Sequence, residues 1–421
     1  MAVGSFFILH EFAPLGLTLE RIGPFQERVE FFPFTDRAGE PCNYYLLLSA
    51  NGRGKTHILE VLAAMMGILN QPADKPGPFG FEPLDSGNGR AQLDFRVTYS
   101  SHTDTRHTVV LSLLAGLFDS ELWYKPWRND DLLQVHASRW HRLGIIRSPR
   151  NTYSWVGRNS RPSSSNDFDV WATELHDWIQ STIGAGLEAF EGSPLTAPTL
   201  LYFPASRDIV KLPAAESRSI SAPRDWNYRP VHIFRHEGNE WRESLDNLLV
   251  WLKWLDDGRF EAALESVNER VFSESKKKLT NVDKNTLTAI IKTDDGQIHR
   301  LDQLSSGEKS LLQIFLRLGA HMTQNCIVLI DEVDAHLHVQ WRSLIAEQLK
   351  HMAQDHYPNL HVFMASHAYE VMDALAIEIE EPGIRKNGYL LETPAEEETT
   401  RLISEDARKH YGKGNSDGQP D

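Results

Sequence analysis

Leu304–His338, LSSGEKSLLQIFLRLGAHMTQNCIVLIDEVDAHLH, is the stretch from which the fold class can be read. A Ser-Ser-Gly turn opens it. Leu311, Leu312, Phe315, Leu316 and Leu318 then recur at helical spacing, which predicts an amphipathic helix starting at the turn. Ser305 or Ser306 suits the N-cap, and Glu308 places a negative charge in the first turn. A helix start of this kind can bring its backbone N–H groups against an anion. Behind the helix, Cys326-Ile-Val-Leu-Ile330 is apolar at every position, as expected of a parallel strand buried on both faces. Asp331 and Glu332 follow at its carboxyl end, the edge where open α/β sheets place ligands. Two acids there, one for a metal and one for a water, suit phosphate chemistry.

The chain has 421 residues, enough for one large or two ordinary domains with a substantial core. Hydrophobic residues make up 41% and charged residues 24%, an ordinary globular composition. A formal net charge of -15 argues against broad non-specific nucleic-acid binding and leaves room only for a local basic groove. The two cysteines, Cys42 and Cys326, sit beside apolar runs. They read as buried thiols in a reducing compartment rather than a disulfide framework or a zinc cluster. With no signal-like N-terminus and no apolar run of membrane-spanning length, the expected location is cytoplasmic, with no membrane partner.

Upstream, Leu17–Arg21 and Arg28–Phe32 read as short strands around an Ile22-Gly-Pro-Phe25 turn. Tyr44-Tyr-Leu-Leu-Leu-Ser49 is an apolar strand. Ala50-Asn-Gly-Arg-Gly-Lys-Thr56 follows it directly, and His57–Met66 then reads as a helix. Strand, glycine-bearing loop, Lys-Thr and helix make up the setting of a phosphate-binding P-loop. Its N–H groups cradle phosphates, Lys55 reaches the β/γ oxygens, and Thr56 offers a hydroxyl to Mg²⁺. Ser49 occupies the position where the pattern has its first glycine. A small residue keeps the turn.

Asn51-Gly-Arg-Gly-Lys-Thr56, Leu304-Ser-Ser-Gly-Glu-Lys-Ser310, Asp331-Glu332 and Ser366-His367 occur in this order. Together they resemble the ATP-binding-cassette heads of the RecF/SMC/Rad50 class, in particular the stand-alone RecF-like ATPases found beside nucleases in bacterial defence loci. The resemblance covers both ends of the chain and little of the middle. It implies an α/β P-loop NTPase: an ABC-type head with a mixed β-sheet lobe and a helical lobe, here with a Trp/Arg-rich insertion. It also implies ATP and Mg²⁺ as cofactors, with the nucleotide sandwiched between two heads arranged head to tail in a homodimer or higher homo-oligomer. By that resemblance Asn51, Gly52, Gly54, Lys55 and Thr56 hold the phosphates, and Thr56 and Asp331 the metal. Glu332 is the general base. Ser305, Ser306, Gly307 and Glu308 form the signature turn that meets the opposite subunit's nucleotide. Asp334 is the subunit-communicating aspartate, and His367 the switch histidine.

Each piece has an ordinary rival reading. Asp331 and Glu332 alone suit a helix N-cap, and Asp334, His336 and His338 alone suit either a solvated loop or a zinc site. His367 alone suits a surface histidine. The middle of the chain is less legible. Ala91–Tyr99 and Thr105–Leu113 alternate as a β-hairpin. From about 115 to 198, tryptophans (Trp123, Trp127, Trp140, Trp155) interleave with arginines (Arg147, Arg150, Arg158, Arg161). That pattern favours a packed insertion or partner interface over single-stranded nucleic acid. Ser160–Asp167 reads as a flexible loop, and Trp171, Leu175 and Trp178 mark one face of a helix. Thr199–Phe203 is a buried strand followed by Pro-Ala-Ser-Arg207, a pattern shared by related defence ATPases, with Arg207 expected at the nucleotide, at the dimer seam or capping the strand. Residues 240–272 read as helical, and Asp283–Arg300 as a hairpin turning at Asp294-Asp-Gly296.

The expected division is 1–115 for a first lobe with the P-loop, 116–198 for the insertion, and 199–303 for a strand, helical lobe and hairpin. Residues 304–403 carry the signature helix, the acid pair and the switch histidine, and 404–421 form a disordered tail. About fifty residues after His367 are too few for a fused nuclease of ordinary size. An effector, a nuclease by the resemblance, is therefore expected in trans. The alternatives are a repair or replication ATPase that clamps DNA, and a nucleotide-gated scaffold with little turnover.

Overall fold

The computed structural model describes residues 7–26, 29–36, 38–49, 52–100, 105–118, 123–158, 168–188, 195–209, 211–235, 240–273, 275–368, 370–371 and the backbone of 387–390. The expected Ser160–Asp167 loop, Asn51 and the 404–421 tail lie outside these residues. From the N-terminus, β1 (Ile8–Glu20) and β2 (Glu30–Pro33) precede β3 (Tyr44–Leu48), which feeds α1 (Lys55–Met66). The short α2 (Glu82–Asp85) leads into β4 (Arg90–Ser100) and β5 (Arg106–Leu117). Then come α3 (Asn129–Gln134), β6 (Trp140–Arg147), β7 (Tyr153–Val156) and α4 (Val170–Thr182). Next are β8 (Thr199–Phe203), β9 (Val231–Ile233), α5 (Leu245–Leu255), α6 (Arg259–Arg270), β10 (Lys277–Asp283), β11 (Thr288–Thr293) and β12 (Ile298–His299). The chain continues through α7 (Ser306–His321), β13 (Cys326–Ile330), α8 (Val339–His351), β14 (Leu360–Ser366) and β15 (Asn387–Leu390).

Six strands form a parallel sheet in the order β15-β3-β14-β13-β8-β9. Its unbroken apolar runs have a simple cause: alternate side chains enter two different cores. Cys326, Val328 and Ile330 join the core under α5, α6, α7 and α8. Ile327 and Leu329 join the core beneath α1, α4 and the second sheet. The same alternation splits Tyr44, Leu46 and Leu48 from Tyr45 and Leu47. A strand covered on both faces has no polar side to show.

The second sheet has the order β2-β1-β4-β5-β6-β7 and is antiparallel except where β6 runs parallel to β5. The expected hairpin is β4 with β5. The Trp/Arg-rich stretch is built into this lobe. β6 and β7 extend the sheet, and Ala172, Leu175 and Ile179 of α4 lie in the same core. Trp127 is buried beside Leu15 and Val110, and Trp155 meets His176 edge-on at 4.9 Å. These tryptophans work as packing residues, the reading that the sequence favoured.

Two regions differ in detail from their sequence reading. The helix expected over 240–272 divides into α5 and α6, because Asp256 (φ 51°) and Gly258 (φ 94°) take left-handed backbone. The expected hairpin at 283–300 is the second half of a three-stranded meander, β10-β11-β12. Its predicted turn is present, with Gly296 at φ 85°.

Three buried histidines are expected to weaken the fold in acid. Burial, reinforced by Arg158, lowers His176 to about 4. Burial, with Arg317 next, lowers His321 to about 3. His232 is held well below its ordinary value by burial and by neighbouring His321. Below the unfolded value of 6.5 the unfolded chain takes up protons that the folded chain refuses. Stability is therefore complete above that pH and lost as pH falls, at about 1.4 kcal/mol per histidine per pH unit. Thermal melts at about pH 7.5 and about pH 5 should show a clear drop in Tm on the acid side. Equal melting temperatures would refute this account.

Candidate functional site

The register of the parallel sheet brings the motif residues to one edge. Phe203 pairs with Ile330, Ile330 with Met364, and Ser366 with Leu48. The carboxyl ends of β8, β13, β14 and β3 therefore lie side by side, as a ligand crevice in an open α/β sheet requires.

The phosphate loop leaves β3 and enters α1 through glycines that need their lack of a side chain. Gly52 has φ 80° and Gly54, the N-cap of α1, has φ 98°. A Cβ on Gly54 would also come within 2.7 Å of Pro24 and 2.9 Å of Phe25, in the turn between β1 and β2. Lys55 is buried, and its Nζ donates to the Ser49 carbonyl at 2.6 Å and the Ser49 hydroxyl at 3.1 Å. The serine that replaces the first glycine thus holds the lysine in the loop. Thr56 donates its hydroxyl to Asp331 Oδ2 at 2.8 Å, joining residues 275 apart in the chain.

Asp331 is 3% exposed, and its other oxygen, Oδ1, is buried with no hydrogen-bond partner among the described residues. The neighbourhood is electronegative. Burial pushes the Glu60 carboxyl up, and the Asp331 charge adds to the rise against the pull of His57. Burial, then Asp331 and Glu60, also raise the Tyr202 hydroxyl. An uncompensated carboxylate oxygen beside a threonine hydroxyl is a donor set for a hard, oxygen-seeking cation. Mg²⁺ fits Thr56 and Asp331, and when bound it would supply charge neutralisation on phosphate oxygens. Among the described residues no group of three or more His, Cys, Asp or Glu could hold a metal, so the Asp334, His336 and His338 zinc alternative gains nothing.

Glu332 is half-buried and has φ 44°, left-handed backbone that a non-glycine residue rarely adopts. Two residues on, the buried Asp334 accepts from the Ser366 hydroxyl at 2.6 Å. Its second oxygen lies 3.4 Å from His367 Nδ1. Asp334 and His367 therefore form a pair at the ends of β13 and β14, with the histidine ring exposed.

The signature turn is organised as a capping box. Ser305 accepts from Glu308 N at 3.3 Å, while Glu308 accepts from Ser305 N at 3.0 Å. Glu308 is turned inward: it is 3% exposed and takes Lys277 Nζ at 2.8 Å. Burial by itself would raise this carboxyl, but the bonds from Lys277 and Ser305 bring it below the usual range. Ser306 is exposed, and Gly307 packs so closely that a Cβ would lie 3.0 Å from the His336 carbonyl. Of the four residues read as the signature turn, Ser306 presents its side chain outward, whereas Glu308 holds the turn in shape.

Of its three expected places, Arg207 takes the strand end, donating to the Pro204 carbonyl just past β8. It is buried behind the acid pair, bonded to Ser310 and to the backbone of Asp331 and Glu332. The Pro-Ala-Ser-Arg pattern pointed to it, and Ser310 ends the quoted Leu304–Ser310 motif, but nothing in the sequence pointed to Lys277.

A parallel sheet that gathers Lys55, Thr56 and the acids Asp331 and Glu332 at one edge has the α/β architecture of a P-loop NTPase. Residues 199–373 match the family model described as "AAA domain, putative AbiEii toxin, Type IV TA system". A curated relative, the Septu protein PtuA of Bacillus thuringiensis, is 30% identical over 113 residues. That alignment takes in 24% of this chain and 27% of the relative, so the chain spans about a quarter of the relative's length. Among solved structures, an Smc head domain from Pyrococcus furiosus is 12% identical, with a TM-score of 0.36 over 86% of this chain and 92% of that one. A dimeric bacterial ABC transporter cassette is 12% identical with a TM-score of 0.27 over 85% of this chain and 90% of that one. No helix among the described residues is long and apolar enough to cross a membrane.

Proposed function

We infer that this chain hydrolyses ATP, closes head to tail on a second copy around the nucleotide, and thereby controls a separate effector, a nuclease, in bacterial anti-phage defence. One observation carries the reading: the Thr56–Asp331 contact at 2.8 Å sets the phosphate loop against the acid pair. Lys55 and the loop N–H groups bind the triphosphate, and Thr56 and Asp331 hold its Mg²⁺. Glu332 orients and deprotonates the attacking water, while His367, steadied by Asp334, faces the γ-phosphate. Phosphoryl transfer needs this positioning and charge neutralisation more than covalent help. The likeness to the Septu protein supports the defence setting.

The exposed Ser306 supports closure in trans, because a serine turn at a helix start is a ready anion contact for a neighbouring molecule. Ser306→Arg should therefore leave folding and ATP binding intact, since exposed substitutions cost little stability. It should abolish both the ATP-dependent dimer and turnover. Sedimentation with and without ATP, run beside a phosphate-release assay, checks this. A mutant that still hydrolyses at the wild-type rate would mean that one head works alone. The effector is tested by affinity capture of the Glu332→Gln form with ATP from its native host, read by mass spectrometry. A nuclease subunit retained with ATP and lost without it is expected. Capture of the chain alone in both conditions would remove the effector from the reading.

A further inference from the structure

Arg207 lies just after β8 and is 5% exposed. Its guanidinium meets four acceptors. Nε donates to the Ser310 hydroxyl at 3.0 Å, Nη1 to the Pro204 carbonyl at 2.8 Å and to the Asp331 carbonyl, and Nη2 to the Glu332 carbonyl at 2.8 Å. Burial lowers the group to about 10 against the raising pull of Asp331, Glu332 and Asp334, so it stays cationic at neutral pH. Next to it, Lys309 pairs with Asp208 at 3.1 Å, a second tie between the same segment and α7.

These contacts add a polar tie between α7 and the turn after β13, beside the packing of Gly307 on the His336 carbonyl. Ser310 stands about one turn along α7 from Ser306, so it moves with the signature turn. The Asp331 and Glu332 carbonyls belong to the turn that aims the metal acid and the base. Glu332 keeps a left-handed backbone that has to be held by its surroundings, and the Arg207 fork grips its carbonyl directly.

We propose that Arg207 is a positioning residue that transmits the seating of α7, through Ser310, to the backbone of Asp331 and Glu332, so that the base is aimed only when the signature turn is engaged. This rests on the reading of Glu332 as the base and of α7 as the helix that meets a nucleotide. A planar five-donor fork is the side chain suited to such a junction, and a lysine has neither its shape nor its donor directions. Phosphate contacts lie elsewhere, on Lys55, Thr56 and the loop, so breaking the link leaves nucleotide affinity alone and slows the chemical step.

The decisive variants are Ser310→Ala, which removes the α7 end of the link, and Arg207→Lys, which breaks the fork. Ser310→Ala should lower kcat about 10-fold, the effect of one lost hydrogen bond to a charged group, with ATP affinity unchanged. Arg207→Lys should lower it about 100-fold, and the double variant should be no slower than Arg207→Lys alone. If Arg207→Lys does not fold, the split between kcat and affinity in Ser310→Ala decides by itself. Wild-type kcat in Ser310→Ala, an equal loss of affinity and kcat, or multiplicative losses in the double variant would each overturn the link. Failure of the underlying reading has a different signature: a Glu332→Gln form that turns over like wild type overturns both.

Discussion

Glu332→Gln is expected to bind ATP as the parent does and to release phosphate about 10²–10⁴-fold more slowly, the usual worth of a positioned general base. The substitution keeps the side chain's size and its capacity to accept a hydrogen bond. It removes the basicity needed to take a proton from water. Nothing in the phosphate-binding apparatus is disturbed, because Thr56 contacts Asp331 rather than Glu332. The backbone at 332 is held through its carbonyl by Arg207, a contact that the amide side chain leaves in place. ATP should therefore accumulate on the protein, and the closed dimer with it. Single-turnover phosphate release together with retention of labelled nucleotide on a filter reads both halves. Rapid release from the mutant would move the base to another residue.

Lys55→Ala has the second large effect, and it falls on binding. The lysine is buried in the loop and held by Ser49 through two contacts, and in the proposed reading its ammonium meets the phosphate oxygens. Losing charge-assisted hydrogen bonds worth about 1.5–3 kcal/mol predicts an affinity about 10- to 100-fold weaker. The fold should tolerate the change. The helix that begins at residue 55 is anchored by Ile58, Leu59, Val61 and Leu62, which are fully or almost fully buried, and by the glycine geometry before it. Equilibrium binding of a fluorescent ATP analogue, with a thermal melt as control, separates lost binding from lost folding. An affinity equal to wild type would remove Lys55 from the phosphate site.

Both predictions fall on residues that were visible beforehand. Lys55, Thr56, Asp331 and Glu332 stand in short motifs next to apolar strands, so their chemistry and their secondary-structure setting are local properties of the chain. The Ser305–Glu308 capping box is equally local, and the structure contains it as a serine N-cap with reciprocal bonds. The pairing of Asp334 with Ser366 and His367 spans more than thirty residues. The motif order hinted at it, but only β13 lying beside β14 creates it. The inward turn of Glu308 depends on Lys277, from a meander that no motif marks. The breaks at Asp256 and Gly258 were hidden because the apolar spacing runs on through them while the backbone reverses locally.

From the amino-acid order alone came the buried parallel strands, the phosphate loop, the acid pair and the serine-capped helix, since each depends on neighbours within a dozen residues. Tertiary structure alone decided which strands adjoin. It thereby set the Thr56 hydroxyl on Asp331, folded the Trp/Arg-rich stretch into the β-lobe and turned Arg207 inward onto the Asp331-Glu332 turn. The physical reason is that a strand buried on both faces carries no mark of its partner. Hydrophobic burial drives it into the sheet without choosing an order, and that order emerges only when all the connections and both cores are satisfied together.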